Sequence, residues 1–420
     1  MDPKPTEKPP SKEPEKPQAN EPPDGGTTAW IHVLLTHIVF FNTWGVANGY
    51  GVFQQYYTQT LGQSQMAISW IGSIQVFFLF SVGVVAGRMT DAGYFRPVFA
   101  LGVFLQVFGL FMTSLCGTSY PRILLAQAVC LGIGNGCTFC PALAILSQYF
   151  KKYRAIAVGI AAAGAAVGGL AYPVIINWLI FKDHLGFPWT VRIMAFVMLA
   201  TYIPCLLLYK PRLAARRSGP WVDWEAFSDP AFVMFTASMA FSFWGLYLTF
   251  FYLGTFARDK IGFAEPIYLL MVLNAVGIFG RIVPTIAADR YVGSLNMLVP
   301  TCFGASLLVY CWAAINNVGG LFAFAVIYGI FAASAQALFP GVATTMTPDP
   351  SRTGTRMGMI LSIVSLANLT GPAICGALIK QQGGEYLGAQ MFGATSILIG
   401  AFFALGTRIA KTGMVFWVKV

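Results

Sequence analysis

Arg281 sits inside an apolar run, Pro266 to Gly293, that is long enough to cross a membrane. A guanidinium keeps its proton in a protein. Inside a bilayer it must face a polar cavity and find an anion, or cost at least roughly 3 kcal/mol. No Asp or Glu lies well inside any other apolar stretch, so the sequence offers no carboxylate of its own as partner. Either the anion belongs to a bound small molecule, or Arg281 lies near enough to the end of its span to snorkel to water.

A second set of polar groups recurs at spacings of three and four: His37, Phe41, Trp44, Asn48, Gly51 and Gln55. That period puts them on one helical face, polar and aromatic where the opposite face is aliphatic, as in a helix lining a cavity. A lipid-facing amide would be costly, which directs Asn48 inward. His37 is either a group that exchanges a proton near neutral pH or a neutral imidazole bonded to a nearby carbonyl. Further polar positions, Asn274 and Gln336 among them, divide between a pathway and helix bridging in a way the sequence does not sort.

Two acids end apolar runs in matching places, Asp91 and Asp289. Basic residues open two later runs: Lys151, Lys152 and Arg154 before one, Arg352 and Arg356 before the other. A carboxylate at a helix N-terminus beside arginine is favourable. The spacing predicts crossed latches, Asp91 on the eleventh helix and Asp289 on the fifth, against the plainer alternative of solvated loop charge. No phosphate-binding loop is present, so ATP hydrolysis does not drive this protein. Cys137 and Cys140 form one C-x-x-C without a second ligand pair, which argues against a metal site. No enzyme motif and no cofactor motif is found.

The elements that must position these groups follow from composition. The chain has 420 residues, 56% hydrophobic and 10% charged, with mean hydropathy +0.66. Soluble domains carry about 25% charged residues. The class is an all-α polytopic membrane protein; the runs are too long and continuous for a barrel. Spans are expected at roughly 29–53, 67–88, 96–116, 120–146, 155–180 and 190–209, then 230–256, 266–288, 295–315, 319–345, 356–380 and 387–408. That gives twelve transmembrane helices, with a disordered tail over 1–23, a half over 24–209, a linker over 210–229, a second half over 230–410 and a short tail over 411–420. With the N-terminus inside, 19 Lys and Arg fall on the cytoplasmic side and 6 outside. Both termini are therefore expected in the cytoplasm of a cell-membrane protein, and the net charge of +10 is no nucleic-acid signal.

The halves echo each other. Trp44-Gly45 and Trp244-Gly245 differ by 200, Asp91 and Asp289 by 198, and Pro141/Pro340, Gly159/Gly358 and Pro173/Pro372 by 199. Six helices repeated in the same sense resemble the two major facilitator halves, related by a pseudo-two-fold axis with the binding site between them. Gly159, Gly164, Gly168 and Gly169 in the fifth span, and Gly358, Gly371 and Gly376 in the eleventh, permit close helix approach.

Two motifs carry a narrower resemblance. Asp24-Gly25-Gly26-x-x-Ala29-Trp30, and the stretch from Tyr149-Phe150-Lys151 to Gly164, are similar to signatures of fungal monocarboxylate-transporter-like permeases, and the likeness spans 24 to about 410. It implies the major facilitator fold and secondary transport. Animal members carry a functional arginine in the eighth helix, which Arg281 resembles; their aspartate one turn earlier is Gly277 here. Their first-helix lysine falls on Asn48, and a selectivity phenylalanine of the tenth helix resembles Phe339. The resemblance thus keeps the anion-attracting arginine and loses the proton-carrying pair.

The expected function is secondary active transport, by alternating access, of a small organic anion of the monocarboxylate type across the plasma membrane. Arg281 pairs with the substrate carboxylate, and Trp44, Asn48, His37 and Phe339 shape the pocket. Protons are the candidate coupling ion. The alternative is efflux of a larger fungal secondary metabolite, with Arg281 structural or gating. A non-transporting sensor is disfavoured by the short tail and linker.

Overall fold

The computed structural model describes residues 22–182, 185–212, 221–346 and 352–413, together with residues 415 and 418. The tail expected over 1–23 lies, up to residue 21, outside the described residues, as do linker positions 213–220 and most positions beyond 413. Every regular element among the described residues is helical.

Helix α1 runs Thr27–Thr60, past the expected end at 53, because Tyr50, Phe53 and Tyr57 keep one face buried although the local sequence is polar. Then come α2, Gln65–Met89, and α3, Phe95–Leu115. A π-turn, Thr90–Tyr94, joins them, and within it Gly93 takes a φ of 92°, a conformation open mainly to glycine. Eleven helical stretches are long and apolar enough to cross a membrane, and the second counts α2 and α3 as one run of 51 residues. Unbent, that run would measure about 77 Å, more than twice a hydrocarbon core. The chain turns at Gly93 instead.

The remaining segments are α4, Tyr120–Ser147, α5, Arg154–Asn177, α6, Phe187–Leu208, α7, Pro230–Ile261, and α8, Ile267–Ala287. They are followed by α9, Ser294–Trp312, α10, Val318–Thr345, α11, Thr353–Gln381, and α12, Leu387–Thr412. Starts are locally encoded. Ser64 Oγ accepts the Ala67 N–H at 3.2 Å ahead of α2, and Asp229 accepts the Ala231 N–H at 2.9 Å with Pro230 in the first turn of α7.

Before the linker, α1 packs on α5, α4 on α2 and α3, and α3 on α6. After it, α7 packs on α11 and α12, α10 on α8 and α9, and α9 on α12. Two seams join the sets: α2 with α11, and α5 with α8. Small residues allow these approaches. A side chain at Gly45 would stand 2.6 Å from the Gly168 Cα, so α1 and α5 touch backbone to backbone. Cys140 fills the space over Gly83 and Cys137 that over Gly102, so this cysteine pair packs helices.

Candidate functional site

The inward face of α1 brings Trp44 to the middle of the bundle, 6% exposed. Its ring meets Phe80 of α2 at 5.3 Å and Phe139 of α4 at 5.6 Å. Across the bundle it lies nearly parallel to Tyr247 of α7, 6.1 Å between centroids and 14° between planes. Phe243, one turn before Tyr247, touches Phe80 at 6.2 Å and Phe339 at 5.7 Å. Phe339 also stacks on Phe235, so it stands behind the Trp44–Tyr247 pair. The result is an aromatic cluster fed by helices from both sides of the linker.

Arg281 of α8 is 2% exposed. The side chain turns inward and does not snorkel. Nη1 donates to the Gly277 carbonyl at 3.2 Å and Nη2 to Gln336 Oε1 at 2.7 Å, both neutral acceptors. Its charge lies within electrostatic reach of the Tyr247 hydroxyl, and no Asp or Glu pairs with it among the described residues. A buried guanidinium without a counter-charge is costly.

Two amides flank the arginine's neighbourhood. Asn48 is fully buried and reaches the Ala165 carbonyl only at 3.5 Å, while its Oδ1 has no protein partner. Asn274 donates to Leu270 at 2.9 Å and also leaves Oδ1 without a protein partner. Gly169 of α5 lies against both, since a Cβ there would meet Asn274 Oδ1 and stand 3.1 Å from the Asn48 Cβ. The Tyr247 hydroxyl and Gln336 Nε2 are likewise buried without protein partners. Buried polar atoms are ordinarily hydrogen-bonded, so this group has bonding capacity to offer a ligand. His37 is half-buried, and its Nδ1–H donates to the Ile160 carbonyl at 2.9 Å, bridging α1 and α5.

Both ends of the site are covered. At one end Tyr252 joins Ser69 at 2.5 Å and donates to the Pro372 carbonyl at 2.9 Å, tying α7 to α2 and α11. At the other, Asp289 Oδ2 accepts the Ile156 N–H at 3.0 Å, on the first turn of α5. Asp289 lines an open surface groove of about 550 Å³ with Lys152, Tyr153 and Arg290, remote from the aromatic cluster. Arg154 turns elsewhere, donating to Phe150 at 3.2 Å and Ser147 at 3.3 Å and so closing the end of α4. Asp91 sits half-buried in the π-turn after α2.

Arg356 meets an acid of the linker. The linker folds back through a 3-10 turn, Trp224–Ser228, and sets Asp223 against the start of α11. Arg356 Nε donates to Asp223 Oδ2 at 2.9 Å, and Arg352 Nη1 to Asp223 Oδ1 at 3.3 Å and to Glu225. Burial by itself would raise the Asp223 carboxyl; Arg356 and then Arg352 outweigh it and hold the group below the usual carboxylate range. Trp221, two residues earlier, lies 4.2 Å from the Arg88 guanidinium at the end of α2. Residues 221–225 therefore strap across the α2–α11 seam, a device that nothing in the linker's mixed composition singles out.

The sequence pattern of the Major Facilitator Superfamily matches residues 34–320. Among similar proteins, an "MFS-type transporter" of Gibberella zeae is 38% identical over 392 residues, 92% of this chain and 88% of that one. An "Aspyridones efflux protein" of Emericella nidulans is 34% identical over 399 residues, 94% of this chain and 81% of that one. An "Agnestins efflux protein" of Paecilomyces divaricatus is 34% identical over 391 residues, 91% and 88% of the two chains. Two of these names speak of efflux and none of monocarboxylates. The chain is a multi-pass membrane transporter and belongs to the Major Facilitator Superfamily.

Proposed function

We propose that this transporter exports an anionic fungal secondary metabolite across the plasma membrane by alternating access, with Arg281 as the counter-ion of the cargo. The observation that carries this is a guanidinium 2% exposed, held by neutral acceptors only, beside an aromatic cluster drawn from both sides of the linker. Efflux takes precedence over uptake of a small monocarboxylate because two relatives that align with nine-tenths of the chain are named for efflux, of aspyridones and of agnestins. A short aliphatic acid would also leave most of the aromatic surface without a partner.

In this reading residues 24–209 and 230–410 are two six-helix halves related by a pseudo-two-fold axis, twelve spans in all. The pairings α1–α5 with α7–α11, and α2–α4 with α8–α10, support that division. The seams α2–α11 and α5–α8 are where the halves part and close. The termini and the linker face the cytoplasm, where Asp289 on α5 and the Asp223 strap on α11 hold the inner side shut.

Inside-out vesicles loaded with the parent or with Arg281→Gln, offered a panel of organic acids, test the proposal. Accumulation of acids by the parent and its loss in the variant are expected. Normal anion transport by Arg281→Gln would overturn the counter-ion role, and accumulation in right-side-out vesicles alone would overturn export. Imposing a pH gradient on the same vesicles shows whether protons are the coupling ion.

A further inference from the structure

The Trp44 and Tyr247 rings come from different sides of the linker and face each other at 6.1 Å and 14°. Near-parallel rings at this distance fall within the usual 4.5–7 Å centroid range of aromatic pairs. Each ring is also in contact with other rings of its own side of the linker. Phe80 and Phe139 hold Trp44, while Phe243 and Phe250 hold Tyr247 at 6.2 and 5.7 Å. Carbon atoms in contact lie about 3.5 Å apart, so a flat ring between the two needs roughly 7 Å. That is a spacing between ring planes brought face to face. A small separation of the halves, of the kind alternating access requires, would supply it.

Polar groups stand at one edge of this slot. The Tyr247 hydroxyl is buried and has no protein partner, although buried tyrosine hydroxyls usually find one. Arg281 lies within electrostatic reach of it. A phenol hydroxyl in the field of a guanidinium is a donor set for an oxygen that is anionic and lies in the plane of the ring.

We propose that the cargo is a flat, conjugated acid, a ring enolate or phenolate, whose ring enters between Trp44 and Tyr247 while its anionic oxygen meets Arg281 and the Tyr247 hydroxyl. This rests on the reading that Arg281 faces the cargo, and it adds the shape of the molecule. An aliphatic acid satisfies the arginine but leaves both ring faces without a stacking partner. Stacking on two faces corresponds to about five- to a hundredfold in affinity.

The test is binding to the purified full-length protein in lipid nanodiscs, read by ligand-induced quenching and by thermal shift. Three probes separate the features: lawsone, a flat acidic hydroxynaphthoquinone; its methyl ether, with the ring but no acid; and cyclohexanecarboxylate, with the acid but no flat ring. The parent is expected to bind lawsone at least about fivefold more tightly than either control. Trp44→Leu should erase the preference for lawsone over cyclohexanecarboxylate, and Trp44→Phe should restore part of it. Tyr247→Phe should weaken lawsone severalfold and leave the methyl ether unchanged.

A parent that does not bind lawsone, or that binds cyclohexanecarboxylate equally well, overturns the inference. So does a Trp44→Leu protein that melts like the parent and keeps the lawsone preference. Arg281→Gln isolates the underlying reading. If it alone keeps normal anion affinity while Trp44→Leu loses ring preference, the counter-ion role falls and the slot stands.

Discussion

Arg281 Nη1 donates to the carbonyl of Gly277, one turn earlier, at 3.2 Å, and a Cβ on Gly277 would stand 2.9 Å from that same nitrogen. The side chain at position 277 thus decides whether the guanidinium has a charged partner within its own helix. Gly277→Asp would put a carboxylate beside it, and opposite charges at such range favour a closed pair. Anion binding should fall ten- to a hundredfold, about 1.4 kcal/mol per decade. Gly277→Ala adds bulk without charge, and the flexible end of Arg281 can yield, so its affinity should stay near that of the parent. Titrating an anionic ligand into both variants checks the contrast; equal affinity in Gly277→Asp would show that Arg281 is not the counter-ion.

Asp289 reaches from the end of α8 to the Ile156 N–H at 3.0 Å, a capping bond between two helices on opposite sides of the linker. Helix N-termini favour negative charge by about 0.3–1 kcal/mol. Asp289→Asn keeps an acceptor and loses the charge; Asp289→Ala loses both, at about 1 kcal/mol. Transport rate should decline in that order while ligand affinity holds, because the contact lies away from the aromatic cluster. Loss of ligand binding in Asp289→Asn would contradict a gating role.

The Asp223–Arg356 pair is the most deeply buried of the strap's ion pairs, with side chains 4% and 9% exposed. Removing one charge leaves the other buried and uncompensated, at about 3–5 kcal/mol. Asp223→Asn should lower the melting midpoint well beyond Glu225→Gln, whose carboxylate is exposed and whose pair is worth about 0–1 kcal/mol. The pH dependence has a definite sign. The folded-state value of Asp223 is depressed, so its stabilisation is complete above the unfolded value of about 3.9 and is lost as pH falls through the lower folded value. Acid melting curves of the parent should therefore show a destabilisation that Asp223→Asn lacks; parallel curves would mean the pair contributes nothing.

How far these contacts could be read from the sequence depends on whether period or isolation marks the residue. The spans are legible because continuous apolar runs of spanning length have few other readings, and Arg281 because a single charge interrupts one of them. The extension of α1 to Thr60 is hidden by its glutamines and threonines, among which Tyr50, Phe53 and Tyr57 are the large buried apolar side chains. Gln336 is one amide among several in spans, 55 residues from the arginine it bonds, and no local pattern links the two. Tyr247 lies in a stretch so rich in aromatics that nothing distinguishes the ring that meets Trp44. Asp223 belongs to a linker of mixed charge, where the fold of the chain, not spacing, selects the acid that meets Arg356.

His37 offers a check on coupling. Its Nδ1–H already has the Ile160 carbonyl at 2.9 Å, which fixes the tautomer and joins α1 to α5. His37→Gln retains a donor at that position. Vesicle transport should keep its dependence on an imposed pH gradient in this variant, and a transporter that becomes indifferent to the gradient would identify His37 as the proton carrier.

The α1–α5 seam sets where Trp44 stands, and its tolerance can be measured with a pair of glycines. At Gly168 a Cβ would collide with the Phe41 carbonyl oxygen and stand 2.8 Å from the Gly45 Cα, both backbone atoms that cannot swing aside. Gly168→Ala must part the helices, an overpacking cost of about 1–3 kcal/mol. Because Phe41 and Gly45 bracket Trp44 on α1, the same displacement shifts that ring against Tyr247. At Gly87, inside α2, nothing lies within 4 Å of an added Cβ, so alanine there should stabilise by about 0.5–1 kcal/mol. Melting midpoints in detergent should thus move in opposite directions, downward for Gly168→Ala and upward for Gly87→Ala, with ligand binding impaired only in the first. A Gly168→Ala protein as stable as the parent and unchanged in binding would show that the seam has slack the observed backbone contacts do not allow.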